Sequence, residues 1–291
     1  MSDQRPEAGV PDRVGVIGGG RMGAGIAHAF ALAGADVVIV ERDADAGDAA
    51  SARLLASLRR SVERGTTERA YADLAAAVST ATDASALAGC RLVVEAVPED
   101  RALKADALAR AERVLEPDGV LATNTSSISI DVLAAALERP GRFLGLHFFN
   151  PVPASLLVEV VVGGATDPTL VDRARGWVSA LGKTPVVVSD APGFASSRLG
   201  VALGLEAIRM LEEGVASAAD IDAAMELGYR HPVGPLKTTD LVGLDVRLGI
   251  AEELHARLGE RFAPPELLRR MVADGHLGRK TGRGFYEWSE S

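Results

Sequence analysis

The stretch from Val14 to Glu41 constrains the fold more than any other. It reads as a short apolar run (Val14-Gly15-Val16-Ile17), then Gly18-Gly19-Gly20-Arg21-Met22-Gly23, an Ala-rich segment, a second apolar run (Val37 to Val40) and Glu41. Apolar runs this short suit strands buried on both faces. The glycines carry the G-x-G-x-x-G spacing. Gly18 allows the tight turn, Gly20 a close approach of pyrophosphate, and Gly23 close packing of helix on strand. The helix that follows offers free N–H groups and its positive dipole end to phosphates, with Arg21 and Met22 in its first turn. Glu41 ends the second strand about 20 residues on, where a carboxylate accepts from ribose hydroxyls. Strand, glycines, helix, strand and acid in this order predict a dinucleotide site. The acid favours NAD over NADP, a preference that the neighbouring Arg42 softens.

Beyond this unit the chain has room for a second domain, with 291 residues, 47% of them hydrophobic. A net charge of −9 argues against a general nucleic-acid binder. The polar start, Met1 to Asp12, reads as a loose tail without a signal core, and no apolar stretch reads as a membrane span. The single cysteine, Cys90, suits a reducing cytosol, so a cytoplasmic protein is expected. No metal site is expected.

A helix is predicted from Ala44 to Arg64, with Leu54, Leu55 and Leu58 as its apolar side. Its arginines (53, 59, 60 and 64) form either a solvated face or a handle for a phosphate-bearing substrate. Leu92 to Val97 is a buried strand opening into Pro98, Glu99 and Asp100. Lys104 follows in the first turn of a helix from Arg101 to Leu115, close to the edge where ligands bind. The strand Gly119–Thr123 opens into Asn124-Thr125-Ser126-Ser127. Capping a helix from Ser129 to Leu137 would occupy one serine but not the whole cluster. His147 and Glu159 then stand in neighbouring apolar strands joined by a Pro-rich turn. A buried acid needs a partner, so the two can meet as a base and the carboxylate that orients it.

After the strand Thr184–Val188, a turn-rich linker starts at Ser189 and the pattern becomes helical. An NAD-binding domain over 1–189 and an all-α domain over 190–291 are expected. Ser196–Glu213 is apolar nearly all round and should be buried, with Ser196, Gly200 and Gly204 on one close-approach face. Ser217–Asp220 resembles a capping box. Further helices are read over Asp240–Leu258 and Pro265–Asp274, before a basic, glycine-rich loop from Gly278 to Tyr286.

Gly18–Ala27, Leu92–Lys104, Thr123–Ser127, Gly145–Pro153, Leu157–Val161, Pro192–Arg198 and Lys280–Tyr286 together resemble the short-chain L-3-hydroxyacyl-CoA dehydrogenases, especially the 3-hydroxybutyryl-CoA enzymes. The resemblance implies a Rossmann-type α/β domain followed by an all-α substrate and dimerisation domain. It implies oxidation of an L-3-hydroxyacyl-CoA by NAD. His147 then resembles the catalytic base, Glu159 its orienting acid, and Ser126 the hydroxyl that meets the substrate oxygen. Val97, Glu99, Lys104, Asn124, Ser126, Asn150 and Lys280 resemble the lining of the NAD site. Ser57 and Arg64, with Ser126, fall where the family touches the acyl-CoA. One departure stands out: the family usually carries Asn before the Arg of its Pro-Gly-Phe motif, and this chain has Ser197. Two alternatives remain open on sequence alone. One is a dehydrogenase of non-CoA hydroxy acids related to lambda-crystallin and gulonate dehydrogenase; the other is a non-catalytic NAD-binding protein.

Overall fold

The computed structural model describes residues 9–288. The expected tail over residues 1–12 therefore lies mostly outside the described residues, and β1 starts at Arg13. The chain forms two compact units that part between Ala191 and Pro192.

The first unit holds an eight-stranded sheet in the order β3-β2-β1-β4-β5-β6-β7-β8. The strands are β1 (Arg13–Ile17), β2 (Asp36–Val40), β3 (Val78–Ala81), β4 (Leu92–Glu95), β5 (Val120–Thr123), β6 (Phe143–Phe148), β7 (Leu157–Val162) and β8 (Thr184–Ser189). Strands β1 to β6 run parallel, in the 3-2-1-4-5-6 order of dinucleotide-binding sheets. β7 pairs antiparallel with β6, and β8 runs parallel to β7. The helices of this unit are α1 (Arg21–Leu32), α2 (Ala44–Glu63), α3 (Tyr71–Ala76), α4 (Arg101–Val114), α5 (Ile130–Ala134) and α6 (Pro168–Ala180).

Local chemistry sets these starts. Asp43, Asp100 and Asp167 each accept a backbone N–H from the first turn of α2, α4 and α6. The apolar side of α2 joins α1 and β1, β2 and β4 in one core that includes Val16, Ile26, Phe30, Ile39, Leu54 and Leu58. Helix α5 is shorter than its expected span from Ser129 to Leu137. Its cap Ser129 also donates to Asp190, 2.6 Å away. β3 and α3 were not foreseen, because Ala75-Ala76-Ala77 leads into Val78 without a turn residue.

The second unit is helical: α7 (Ser196–Glu212), α8 (Ala218–Tyr229), α9 (Pro235–Val242), α10 (Leu244–Leu258) and α11 (Glu266–Ala273). Its core includes Val201, Leu205, Ile208, Leu236, Leu254 and Leu268. α7 is buried on one side only, since Leu199 is 70% exposed, which corrects the all-round burial expected for it. The helix expected over Asp240–Leu258 is broken at Gly243, whose φ of +106° no helix accommodates. Ser217 caps α8 as foreseen. The C-terminal loop is held by Asp240, whose carboxylate accepts from the N–H groups of Phe285 and Tyr286 and from the Trp288 indole. Among the described residues no helix is long and apolar enough to cross a membrane.

Candidate active site

The glycine loop between β1 and α1 is built as its spacing requires. Gly18 has a φ of +89°, and a side chain there would meet the Ala96 carbonyl. A Cβ on Gly23 would overlap the Gly18 carbonyl, so α1 packs on the loop only because position 23 is bare. Gly20 differs: nothing lies within 4 Å of the position its Cβ would take. The protein itself does not need glycine at position 20, whereas an approaching phosphate does.

This loop borders a cavity of about 670 Å³ lined by Gly18, Gly20, Arg21, Met22, Glu41 and Val97, among others. Glu41 accepts from the Gly19 N–H at 2.6 Å, which fixes the acid at the mouth of the loop. Arg42 is paired with Asp43 and is mostly exposed. Arg53 of α2 donates to the Gly19 carbonyl at 2.6 Å, and Arg59 lies over the Tyr71 ring. Of the four arginines here, Arg53 and Arg59 thus have internal partners. Arg60 and Arg64 are exposed, with Ser57 half-buried along the same helix. The opposite wall of the cavity, including Thr82, Ala84, Asp106 and Arg110, was missed from sequence. It depends on the loop after β3, which had no clear signal, and on an exposed face of α4 where Arg110 pairs with Asp106.

Lys104 is not at the cavity surface. It is 1% exposed, and its ammonium lies 2.8 Å from Glu95, 3.2 Å from the Val97 carbonyl and 3.2 Å from Glu99. It therefore holds the 97–99 loop in place. Glu95 is fully buried and also accepts from the Val97 N–H and the Thr123 hydroxyl. Sequence reasoning overlooked Glu95, although a charge inside an apolar strand was the very signal that singled out Glu159.

The hydroxyl cluster after β5 surrounds one oxygen of Glu99. Thr125 Oγ1 (2.6 Å), the N–H groups of Ser126 (2.9 Å) and Ser127 (3.1 Å) and Ser127 Oγ (3.1 Å) all donate to it. Burial pushes the Glu99 carboxyl up, but the Lys104 ammonium and these donors outweigh it and hold it below the usual range. Ser126 Oγ is 3.4 Å from the same oxygen, at the limit of a hydrogen bond, so its hydroxyl is not committed there. Asn124 accepts from the Phe148 N–H at 2.8 Å and ties the end of β5 to the end of β6.

His147 and Glu159 face each other directly across the antiparallel β6–β7 ladder. His147 Nδ1 lies 2.8 Å from Glu159 Oε2, and both residues are buried. The imidazole also packs against the Phe149 ring, with centroids 4.4 Å apart. Asn150 is exposed just beyond, before a cis bond to Pro151. In the second unit, Ser197 lies half-buried in the first turn of α7, and exposed Lys280 pairs with Asp245 at 2.5 Å. Cys90 is buried, and burial raises its thiol pKa, so it is a packed thiol rather than a nucleophile. Among the described residues no group of three His, Cys, Asp or Glu is placed to hold a metal ion.

The sheet order, the glycine cradle and a buried histidine–carboxylate pair define an NAD-dependent oxidoreductase. Comparison with known proteins narrows the class. Residues 13–191 match the family model described as 3-hydroxyacyl-CoA dehydrogenase, NAD binding domain, and residues 193–288 match its C-terminal domain. The chain is 45% identical over 280 residues to a protein named 3-hydroxybutyryl-CoA dehydrogenase from Mycobacterium tuberculosis, covering 95% of this chain and 98% of that protein. It is 42% identical to a probable 3-hydroxybutyryl-CoA dehydrogenase of Deinococcus radiodurans, over 95% of this chain and all of the other. The crystal structure of (S)-3-hydroxybutyryl-CoA dehydrogenase PaaH1 from Ralstonia eutropha matches with a TM-score of 0.91 at 39% identity, covering 96% of this chain and 100% of that one. The chain belongs to the 3-hydroxyacyl-CoA dehydrogenase family.

Proposed function

We propose that this protein oxidises an L-3-hydroxyacyl-CoA to the 3-ketoacyl-CoA with NAD, His147 being the base and Glu159 the acid that orients it. The cross-strand pair at 2.8 Å carries this reading. A carboxylate at Nδ1 fixes the tautomer that donates from Nδ1, so that Nε2 carries the lone pair. Nε2 takes the proton of the 3-hydroxyl as the C3 hydrogen departs, and Glu159 stabilises the imidazolium that results. Bound NAD supplies the acceptor for the two electrons. Ser126 donates its hydroxyl to the substrate oxygen.

Gly18, Gly20, Arg21, Met22, Gly23, Glu41 and Val97 hold the dinucleotide. Glu99, Asn124, Asn150 and Lys280 complete its surroundings, and Lys104 acts by fixing the loop. Ser57 on α2 and Arg64 at its C-terminal cap take the CoA moiety. Ser197 takes the substrate-facing position that the family usually gives to Asn. The helical domain handles the acyl chain and forms a homodimer. A reducing, cytoplasmic setting agrees with the buried free thiol.

The test is NADH formation on a ladder of 3-hydroxyacyl-CoAs, set against the free hydroxy acids, with NAD and with NADP. Turnover that needs both the CoA group and NAD is expected. Equal rates on the free acids would favour the non-CoA alternative.

A further inference from the structure

Helix α2 carries an arginine that is bound to the backbone of the glycine loop rather than to an acid. Arg53 Nη1 donates to the Gly19 carbonyl at 2.6 Å. The acids near the start of α2 are engaged elsewhere: Glu41 accepts from the N–H groups of Gly19 and Arg42, and Asp43 pairs with the Arg42 side chain. A charged donor on a carbonyl makes a stronger bond than a neutral one. The sequence reads this arginine only as part of a basic helix face, so the contact is a product of the fold.

That bond acts on one peptide plane. The Gly19 carbonyl and the Gly20 N–H belong to the same peptide unit, and it is trans, since the cis bond among the described residues is Asn150–Pro151. In a planar trans unit the carbonyl and the N–H point in opposite directions. Gly19 is buried against Ala50 of α2, whereas Gly20 is exposed and lines the cavity. A carbonyl held on the α2 side therefore directs the Gly20 N–H away from α2. The neighbouring N–H groups are already taken, Gly18 by the Val40 carbonyl at 2.9 Å and Gly19 by Glu41 at 2.6 Å. The Gly20 N–H has no acceptor among the described residues. No side chain fixes this plane from within, because glycine flanks it on both sides. A flip would turn a carbonyl oxygen outward, where it would repel a phosphate, and would withdraw the donor.

We propose that Arg53 is a positioning residue for the cofactor: by holding the Gly19 carbonyl it locks the Gly19–Gly20 peptide with its N–H presented to the pyrophosphate of NAD. This role rests on the reading of the glycine loop as the dinucleotide site. It is separate from the CoA contacts assigned to Ser57 and Arg64.

The experiment measures the dissociation constants of NADH, by its fluorescence, and of adenosine, by ligand-observed NMR, for the wild type, Arg53→Met and Arg53→Lys. Adenosine shares the base and ribose of the cofactor but has no phosphate. Arg53→Met should weaken NADH at least about tenfold, the scale of a hydrogen bond to a charged group, and leave adenosine within about twofold. Arg53→Lys still offers one donor to the one carbonyl and should recover most of the loss. Arg53 is exposed, so the fold should tolerate both changes; Arg53→Ala takes the place of Arg53→Met should that variant not fold. Equal weakening of NADH and adenosine would reveal a general disturbance of the loop and overturn the proposal. A lysine variant as weak as the methionine one would overturn it too. Unchanged NADH affinity in Arg53→Met overturns this proposal and leaves the dinucleotide site standing. A wild type that binds no NADH overturns both.

Discussion

Replacing Lys104 by Met tests how the cofactor loop is held. Glu95 is fully buried and accepts from three donors: the Lys104 ammonium at 2.8 Å, the Val97 N–H at 2.7 Å and the Thr123 hydroxyl at 2.6 Å. Lys104→Met keeps the apolar stem and leaves the last two donors, but it strips the carboxylate of its buried counter-charge. Removing one member of a buried pair costs about 3–5 kcal/mol. The same change frees the Val97 carbonyl and Glu99 from the ammonium, so the wall formed by Val97 and Pro98 loosens. Urea unfolding should show the stability loss, and NAD titration by fluorescence should show weaker binding. Adding Glu95→Gln removes the orphaned charge and should recover part of the loss. A cost below about 1 kcal/mol for Lys104→Met, or no recovery in the double variant, would refute the reasoning.

Gly20→Val should lower stability by only about 1 kcal/mol, the capping cost at the start of α1, since no protein atom lies within 4 Å of its Cβ position, yet weaken NAD binding at least about tenfold by blocking the phosphate; unchanged NAD affinity would show that the phosphate sits elsewhere. His28, buried in α1 with Ser61 2.8 Å from its Nε2, has its pKa lowered to about 4, chiefly by burial and then by Lys183 and Arg60. The unfolded chain binds that proton more readily, so the stability linked to His28 is complete above pH 6.5 and is lost as pH falls towards 4. At about 1.4 kcal/mol per pKa unit the loss is about 3 kcal/mol. His28→Gln should flatten urea stability across that window, and an unaltered slope would discount the histidine. Ser197→Asn should fold normally and change kcat/KM on a short 3-hydroxyacyl-CoA, whereas identical kinetics would mark the position as idle.

Much of the site was legible because its signals are local. The glycine spacing sets a φ at Gly18 and a packing contact at Gly23 within a few residues of each other. His147 and Glu159 were foreseen as partners because a buried acid in an apolar strand needs one. The same rule applies with equal force to Glu95, and it accounts for Lys104, expected to line the NAD site, being turned onto buried carboxylates instead. What the sequence hid depends on long-range packing. No turn residue precedes β3 in the sequence, and its pairing with β2 is what marks it as a strand.

The most direct trial of the central claim is the turnover of His147→Gln with a 3-hydroxyacyl-CoA, measured beside its dissociation constant for NAD. The account predicts a loss of about 10²–10⁴-fold in kcat with NAD affinity held within about twofold. A variant that keeps more than about a tenth of wild-type turnover would contradict it.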